Sequence, residues 1–330
     1  MDTIQVPEIS DELVTFINSH SVFLIAGHKE PDGDCIGSSL ALSLFLQRLG
    51  KKTVLLSAGP FKRIEIKCYE ELFFEHVPEN IVPNNETALF VVDCSNVERT
   101  GDLAEELKPF KPVFIDHHAT NTEASPASLI MKTSPSTTYL IQHIIEKMTG
   151  EVTEEEAKLL FFGLSTDTGF FRHLDYNSAE VFAAASRLVR AKASPKRIFA
   201  QINGGRSFKS RMLISKILSR LTPYYDGKLM LSFETYEDTQ EFGLEGRDSD
   251  ALYQLIQSIA GVEAIVIIRQ ESETHCSVGF RSFDKIDVSV IAASFGGGGH
   301  KQASGLYIKG QINNLIPKFV KAFENQMLLL

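Results

Sequence analysis

The sequence predicts an α/β protein with an N-terminal, mostly parallel sheet flanked by helices and a smaller C-terminal α/β domain. Short apolar runs alternate with helical patterns through the first half of the chain, and this alternation is typical of parallel sheets. After a helix-rich middle, further strand-like runs follow the Asp226-Gly227 turn. The 330 residues are enough for two domains joined by a helical connector.

Apolar periodicity predicts the elements of the first half. The first predicted helix has apolar residues at i, i+3, i+4 and i+7, beginning at Leu42. Thr153 and Glu156 predict a capping box at the start of a later helix. The predicted strands cover residues 22–27, 52–57, 88–93, 113–116 and 128–131, and the predicted helices cover 36–49, 136–148, 153–164 and 178–189.

The second half begins with a predicted connector helix, residues 206–221, which Thr222-Pro223 ends. Residues 1–204 are the predicted first domain, 205–224 the connector and hinge, and 225–330 the second domain. Within the second domain we expect strands at 229–233, 264–269 and 276–280, and helices at 249–259, 287–294 and 311–330.

Composition excludes several classes of protein. An apolar fraction of 43% with 23% charged residues is that of a soluble globular protein, and no apolar run approaches the ~20 residues that span a bilayer. The N-terminus lacks the order of a secretory signal, so a cytoplasmic protein is expected. Four cysteines without a C-x-x-C pair indicate neither a zinc ribbon nor a disulfide framework. Cys35 and Cys94 are interpreted as small buried thiols.

A basic band interrupts an otherwise acidic chain of net charge −9. Residues 181–225 contain ten Lys and Arg but no Asp or Glu. Such a band predicts either a local site for a polyanion or a connector whose charge offsets its neighbours. The sequence supports the two interpretations equally.

The segment after the first predicted strand contains His28, Asp32 and Asp34. Side chains at this spacing reach a single centre only if the chain turns, and Pro31 and Gly33 supply the turn. Mixed histidine and aspartate ligation suits Mn²⁺, Mg²⁺ or Fe²⁺. A surface turn with an incidental histidine explains the segment equally well when it is taken alone.

Further carboxylates and imidazoles follow the next strands. Asp93 and the triplet Asp116-His117-His118 end apolar runs, and the carboxyl ends of strands in open α/β sheets carry ligand sites. In the triplet, one imidazole can bind a metal while the other contacts a phosphate or moves a proton, and Asp116 can fix a ring. Asp167 ends an apolar helix as a ligand or a cap. Together these residues predict a metal-dependent hydrolase.

Two features of the second half predict anion binding. Arg281 ends a strand-like run, and residues 296–300 form a predicted loop of four glycines followed by His300. Glycine-rich loops expose amides to anions and let a phosphate approach the backbone. A flexible hinge is the alternative interpretation of the glycine run.

Taken in order, these motifs resemble the DHH phosphoesterase superfamily with its DHH-associated C-terminal domain, DHHA1. The resemblance covers about residues 20–310 and rests on the combination of His28-x3-Asp32-x-Asp34, Asp93, Asp116-His117-His118, Asp167 and the glycine run with His300. The chain most resembles the stand-alone nanoRNase/pAp phosphatase subgroup, which includes phosphodiesterases of cyclic-di-AMP. Residues 283–289 are also typical of that subgroup.

The resemblance implies a role for each residue of the first domain. Two divalent ions are expected, with Mn²⁺ preferred over Mg²⁺ or Fe²⁺. The implied ligands are His28 and Asp32 for one ion, Asp34, His117 and Asp167 for the other, and Asp93 as a bridge. His118 would contact the scissile phosphate, with Asp116 in support.

The resemblance also places substrate binding in the second domain. Arg281, His300 and the amides of Gly298 and Gly299 would bind a terminal phosphate or nucleotide. The active site would then lie in the cleft between the DHH and DHHA1 domains, which would close about residues 222–226.

The function implied is hydrolysis of very short RNA oligonucleotides to mononucleotides, with dephosphorylation of pAp. Cyclic-di-AMP or pApA hydrolysis is the alternative on the same scaffold, and a non-enzymatic nucleotide sensor is a third. The glycine run and the basic connector favour an organic, nucleotide-bearing substrate over pyrophosphate. Neither a membrane nor a long duplex nucleic acid is an expected partner, and the oligomeric state is left open.

Overall fold

The computed structural model of the protein describes residues 4–118, 125–283 and 285–328. The chain divides into two compact units, Met1–Gly205 and Arg206–Leu330. Each unit contains its own sheet, which confirms the predicted mixed α/β fold. Asp284, Leu329 and Leu330, which belong to predicted segments, lie outside the described residues.

The sheet of the first unit is parallel throughout its described pairings. Its strands are β1 (Val22–Ala26), β2 (Lys52–Leu56), β3 (Thr87–Val92), β4 (Pro112–Asp116) and β5 (Leu129–Ile130). Alternate residues of β1 and β3 enter two apolar clusters on opposite faces of the sheet. Burial on both faces explains why these strands are continuous apolar runs.

Among the helices of the first unit, the second and fourth contact strands of this sheet, and the fifth packs on both of them. The helices are α1 (Asp11–Ser19), α2 (Gly33–Arg48), α3 (Ala104–Leu107), α4 (Thr137–Thr149), α5 (Glu154–Asp167), α6 (Ala179–Arg190) and α7 (Pro195–Asn203). The capping box of Thr153 and Glu156 is present at the start of α5, as predicted. Helices α1, α3 and α7 were not predicted, although Ser194 followed by Pro195 is a recognisable helix start.

Strand order fixes where ligands can meet in the first unit. The order is β2-β1-β3-β4-β5. The chain therefore passes from β1 to β2 on one side of the sheet and from β3 to β4 and β5 on the other side, and the order reverses between β1 and β3. Loops on either side of such a switch leave a crevice at the carboxyl ends of the strands. The segments after β1, β3 and β4 therefore begin at one edge of the sheet.

The second unit contains a mixed sheet of order β10-β11-β9-β8-β7-β6. Its strands are β6 (Thr222–Tyr224), β7 (Leu229–Glu234), β8 (Ala264–Gln270), β9 (His275–Ser282), β10 (Gly298–His300) and β11 (Ala303–Lys309). Its helices are α8 (Phe208–Ser219), α9 (Tyr236–Phe242), α10 (Ser249–Gln257), α11 (Val288–Ser294), α12 (Ile312–Ala322) and α13 (Glu324–Met327). The helix predicted as a connector, α8, packs in one apolar cluster with α10 and β8.

Two predictions for the second unit are wrong in detail. The glycine run was predicted as a loop, but Gly298–His300 forms β10 and pairs with β11, because backbone hydrogen bonds make a strand without any side-chain signal. The C-terminal segment forms two helices around Phe323 rather than one. Strands β6, β10 and β11 were not predicted. No helix of the described chain is long and apolar enough to cross a membrane.

The basic band is largely neutralised by neighbouring carboxylates. Among the residues that the structure describes, six of its ten cations form ion pairs, and Asp238 and Asp248 each pair with two of them. The six are Arg187, Lys192, Arg206, Arg211, Lys216 and Arg220. This pairing supports the interpretation that the band offsets local negative charge rather than forming a polyanion site.

Candidate functional site

Asp93 is the central residue of the polar cluster in the first unit. It follows β3 with a φ of 55°, a strained conformation for a residue other than glycine. Its carboxylate is buried, with Oδ2 3.5 Å from His28 Nε2 and Oδ1 3.4 Å from His117 Nε2. Each oxygen of this one carboxylate therefore faces a different histidine.

His28 and Asp32 lie on one side of Asp93. The side chain of Asp32 caps α2 by accepting hydrogen bonds from the amides of Asp34 and Cys35, and its Oδ1 lies 3.9 Å from His28 Nε2. His28 Nδ1 is 2.9 Å from the carbonyl of Lys29. A proton on Nδ1 leaves Nε2 free to bind a metal.

Asp34, His117 and Asp167 form the second group, with donor atoms within 4.8 Å of one another. His117 Nε2 is 3.4 Å from Asp167 Oδ2, and its Nδ1 is 3.2 Å from the carbonyl of Ser134. Asp34 lies in the first turn of α2 and Asp167 at the last residue of α5. The structure thus brings together all six residues predicted as metal ligands.

The start of α4 holds two of these carboxylates, and the sequence analysis gave it no role. The amides of Thr137 and Thr138 donate to Asp34 at 2.6 and 3.0 Å, and the Thr138 hydroxyl donates to it at 2.6 Å. The Thr137 hydroxyl donates to Asp93 at 3.1 Å. A helix N-terminus is favourable for carboxylates. Only the helix start was visible in the sequence.

Burial is the largest influence on the protonation of the carboxylates, and their mutual repulsion adds to it. Burial, together with the charges of Asp93 and Asp167, raises the pKa of Asp34 well above its usual value. Burial, with the Asp93 charge adding to it, raises the pKa of Asp167 to about 6. Burial also opposes ionisation of Asp93, but hydrogen bonds from His117 and His28 hold its pKa well below the usual range.

The two histidines supply the positive charge that the cluster contains. Burial acts to lower the pKa of His28, but Asp32 and Asp93 outweigh it and raise the pKa to about 10. Burial likewise disfavours charged His117, yet Asp93 and Asp34 raise its pKa to about 10. A carboxylate-rich set of oxygen and imidazole donors, arranged in two groups that share Asp93, fits two divalent cations.

Asp116 and His118 form a separate pair beside the cluster. Asp116 is fully buried, and its Oδ1 accepts hydrogen bonds from His118 Nδ1 at 2.8 Å and from the His118 amide at 3.1 Å. A proton on Nδ1 leaves Nε2 of His118 as an acceptor. The triplet therefore separates its two imidazoles: His117 faces the carboxylates, and His118 is oriented by Asp116.

Both cysteines near the site are buried, as predicted. Cys35 Sγ lies within reach of His28 and Asp93, but burial raises the pKa of this thiol well above its usual value. Burial also raises the pKa of Cys94 to about 12. Without cations both thiols therefore stay neutral, in agreement with their interpretation as small buried thiols.

The predicted anion-binding residues of the second unit lie at one end of its sheet. Arg281 pairs with Ala303, which pairs with His300, so Arg281 and His300 share one face about 10 Å apart, two strand spacings. Gly298 and Gly299 are exposed on β10. Gly299 has a φ of 142°, and a Cβ there would lie 2.6 Å from the carbonyl of Ala303. The position therefore requires glycine.

Comparisons with known proteins agree with a chain of two domains. Residues 22–164 match the DHH family, N-terminal domain, and residues 226–328 match the DHHA1 domain. The chain is 29% identical to the bifunctional oligoribonuclease and PAP phosphatase NrnA of Thermus thermophilus, over 87% of this chain and 84% of that protein. It is 27% identical to the cyclic-di-AMP phosphodiesterase GdpP of Bacillus subtilis, over 96% of this chain but 50% of that protein.

A solved structure shares the fold of the whole chain. The crystal structure of an exopolyphosphatase-related protein from Bacteroides fragilis superimposes with a TM-score of 0.77 at 24% sequence identity. The superposition covers 97% of this chain and 96% of that one. Of the two matched domains, one falls within each compact unit.

Thr138→Val is expected to weaken binding of Mn²⁺ about 10-fold, a typical effect of losing a hydrogen bond to a metal ligand. The hydroxyl supports a carboxylate, Asp34, whose charged form is already disfavoured. Titration with Mn²⁺ measures the affinity. Thr100→Val is the matched control, since that buried hydroxyl donates only to the carbonyl of Val97. Equal affinities in the two variants would contradict the prediction.

Binding of Mn²⁺ is expected to release protons. With a pKa of about 10, His28 and His117 are both protonated at pH 7 without cations, whereas a metal binds the neutral ring. We expect release of at least two protons per protein, because the raised pKa values of Asp34 and Asp167 add to the release from the histidines, and weaker binding as the pH falls. Calorimetry at pH 7 in two buffers of different ionisation enthalpy measures the release.

The control for proton release is His76→Gln. Its hydrogen bond with Glu106 raises the pKa of His76, but the side chain is exposed and lies outside the cluster. This variant should release as many protons as the wild type. A heat of Mn²⁺ binding that does not depend on the buffer would be incompatible with protonated ligand histidines.

Proposed function

We propose that this chain, which belongs to the DHH/DHHA1 phosphoesterase superfamily, is a hydrolase that degrades very short RNA oligonucleotides to mononucleotides and removes a phosphate from pAp. Its cofactors are two divalent cations, Mn²⁺ in the first place. The observation that carries the proposal is the shared carboxylate of Asp93, with one oxygen toward His28 and the other toward His117. The NrnA relative, which matches most of both chains, supports the choice of substrates.

The residues of the first unit fit the cofactor that this chemistry needs. His28 and Asp32 would hold one cation, and Asp93 would contribute to both. The ligands for the other cation would be Asp34, His117 and Asp167. When bound, two cations supply Lewis acidity toward the phosphoryl oxygens of the substrate. Their charge would also offset the burial and the repulsion that together raise the pKa of Asp34 and Asp167.

His118 would act on the substrate rather than on the cations. Its Nδ1 donates to Asp116, so the ring presents Nε2 to the phosphate being hydrolysed. In its neutral form Nε2 can accept a proton, and in its protonated form it can donate a hydrogen bond to a phosphate oxygen. Asp116 fixes the ring orientation and the tautomer.

The second unit would bind the remainder of the substrate. Arg281 and His300 share one sheet face at the end where Gly298 and Gly299 expose their backbone. A guanidinium and an exposed glycine backbone that a phosphate can approach suit a terminal phosphate. We propose that the two units close on a nucleotide held in this way, as the DHH and DHHA1 domains of one active site.

The alternative substrate is cyclic-di-AMP or pApA. The GdpP relative supports it, because 96% of this chain aligns with half of that phosphodiesterase. The cation ligands and anion-binding residues would be the same for either substrate. The two functions therefore differ in which nucleotide the second unit accepts, and only turnover separates them.

A substrate panel with added Mn²⁺ tests the choice. We expect di- to tetraribonucleotides and pAp to be hydrolysed faster than cyclic-di-AMP, as measured by chromatography of the products. Turnover of cyclic-di-AMP and pApA alone would replace the proposed function by its alternative.

Asp93→Asn separates an enzyme from a sensor in the same assay. The variant should lose roughly 1,000-fold or more in kcat, because both cations lose a shared ligand, a loss typical of removing essential catalytic groups. Its affinity for pAp should fall much less. Asp102→Asn, an exposed carboxylate of the same unit, is the control and should retain full activity. Undiminished turnover by Asp93→Asn would rule out the two-metal mechanism.

Arg281→Gln is expected to raise KM for pAp and for short RNA by about 10- to 100-fold, since a charge-assisted hydrogen bond to phosphate is worth ~1.5–3 kcal/mol. Steady-state kinetics should find kcat changed far less than KM. Lys309→Gln removes an exposed cation from the other end of the neighbouring strand and serves as the control. Similar KM values for the two variants would refute a phosphate contact by Arg281.

A further inference from the structure

Arg281 is held in an unusual way for an arginine of the second unit. Its guanidinium carbon lies 4.6 Å from the centroid of the Tyr253 ring, and one of its nitrogens donates to the carbonyl of Phe280 at 3.0 Å. Among the residues that the structure describes, no carboxylate pairs with it. A cation–π contact with the face of the Tyr253 ring therefore holds the Arg281 guanidinium in place.

Neighbouring arginines show the contrast. Arg269, on the adjacent strand β8, is bound by Glu234 at 3.2 Å and by Ser249 at 3.0 Å. Arg247 is bound by Glu234 and by both oxygens of Glu271. A carboxylate neutralises an arginine and occupies the N–H donors that a phosphate would need. A ring below the guanidinium plane occupies none of them.

The sequence of β9 makes room for this ring. Gly279 and Arg281 point to the same face of the strand, and a Cβ at Gly279 would lie 2.2 Å from the hydroxyl oxygen of Tyr253. Real Cβ contacts are not that short, so any other residue at Gly279 would displace the ring. The Tyr253 side chain is 4% exposed, so the ring is fixed by packing on α10.

We propose that Tyr253 is a positioning residue for substrate binding: its ring holds the Arg281 guanidinium over the end of the sheet and leaves the N–H donors that do not bond Phe280 available for a phosphate. The absence of a side chain at Gly279 is what admits the ring. The inference rests on the proposed function only in taking Arg281 as a phosphate contact. It adds that a buried aromatic residue, which never touches substrate, sets how well that contact forms.

The first test replaces the ring. Tyr253→Leu should raise KM for pAp about 5- to 20-fold with kcat changed less than about 2-fold, the range that a desolvated cation–π contact provides. Tyr253→Phe keeps the ring and should stay within about 2-fold of the wild type. In an Arg281→Gln background, Tyr253→Leu should have no further effect on KM. If Tyr253 had a purely structural role, Tyr253→Leu would impair the enzyme to the same extent with Arg281 present and with Arg281→Gln.

The second test leaves no cavity in the core, because it adds a side chain instead of removing one. Gly279→Ala should displace the ring through the tyrosine hydroxyl and raise KM for pAp to a similar extent. The next nearest ring atom, Tyr253 Cζ, is 3.4 Å from the added carbon, an ordinary contact. Combining Gly279→Ala with Tyr253→Phe should therefore restore KM to within about 2-fold of the wild type.

The outcomes separate this inference from the proposed function. If Arg281→Gln raises KM but neither Tyr253→Leu nor Gly279→Ala does, Tyr253 has no positioning role and the function stands. If Tyr253→Phe is as impaired as Tyr253→Leu, the ring is not the cause and the inference fails. If Arg281→Gln itself leaves KM unchanged, both the phosphate contact and the positioning role are overturned.

Discussion

The polar cluster of the first unit depends on how the burial and the mutual repulsion of four aspartates are offset at one edge of its sheet. Asp32, Asp34, Asp93 and Asp167 lie around two histidines, and burial makes their negative charge more costly than it would be in water. Every nearby feature reduces that cost: protonated imidazoles, the amides at the start of α4, and the cap of α2. Divalent cations would neutralise the negative charge of the aspartates that these features do not compensate.

The backbone around this cluster places the aspartates and histidines close together. A parallel sheet with its switch between β1 and β3 brings three strand ends to one crevice, and Asp93 takes a left-handed conformation there. Such strain is tolerated where the surrounding structure fixes it. The fully buried Asp116 then orients His118 apart from the cation ligands. In the proposed function, cation binding and contact with the phosphate would therefore fall to different side chains of one tripeptide.

The two units treat charge in opposite ways. In the first, excess carboxylate is concentrated in the cluster around Asp93, the proposed site for cations. In the second, most arginines are neutralised in ion pairs, as Arg247 and Arg269 are by Glu234, whereas Arg281 rests on a tyrosine ring. A guanidinium without a carboxylate partner in the described chain binds phosphate better, because no carboxylate neutralises its positive charge.

The sequence by itself determined the alternation of strands and helices in the first unit and the positions of the metal-capable residues. These signals are local: apolar runs fix the strands, and polar residues at their ends fix the edge of the sheet. Tertiary structure decided the pairing of Asp34 with α4, the role of the basic band, the strand at Gly298–His300 and the contact of Tyr253 with Arg281. Each of these joins residues far apart in the chain or depends on backbone hydrogen bonds alone. No periodicity or motif records such contacts, because they arise only when separate elements pack together.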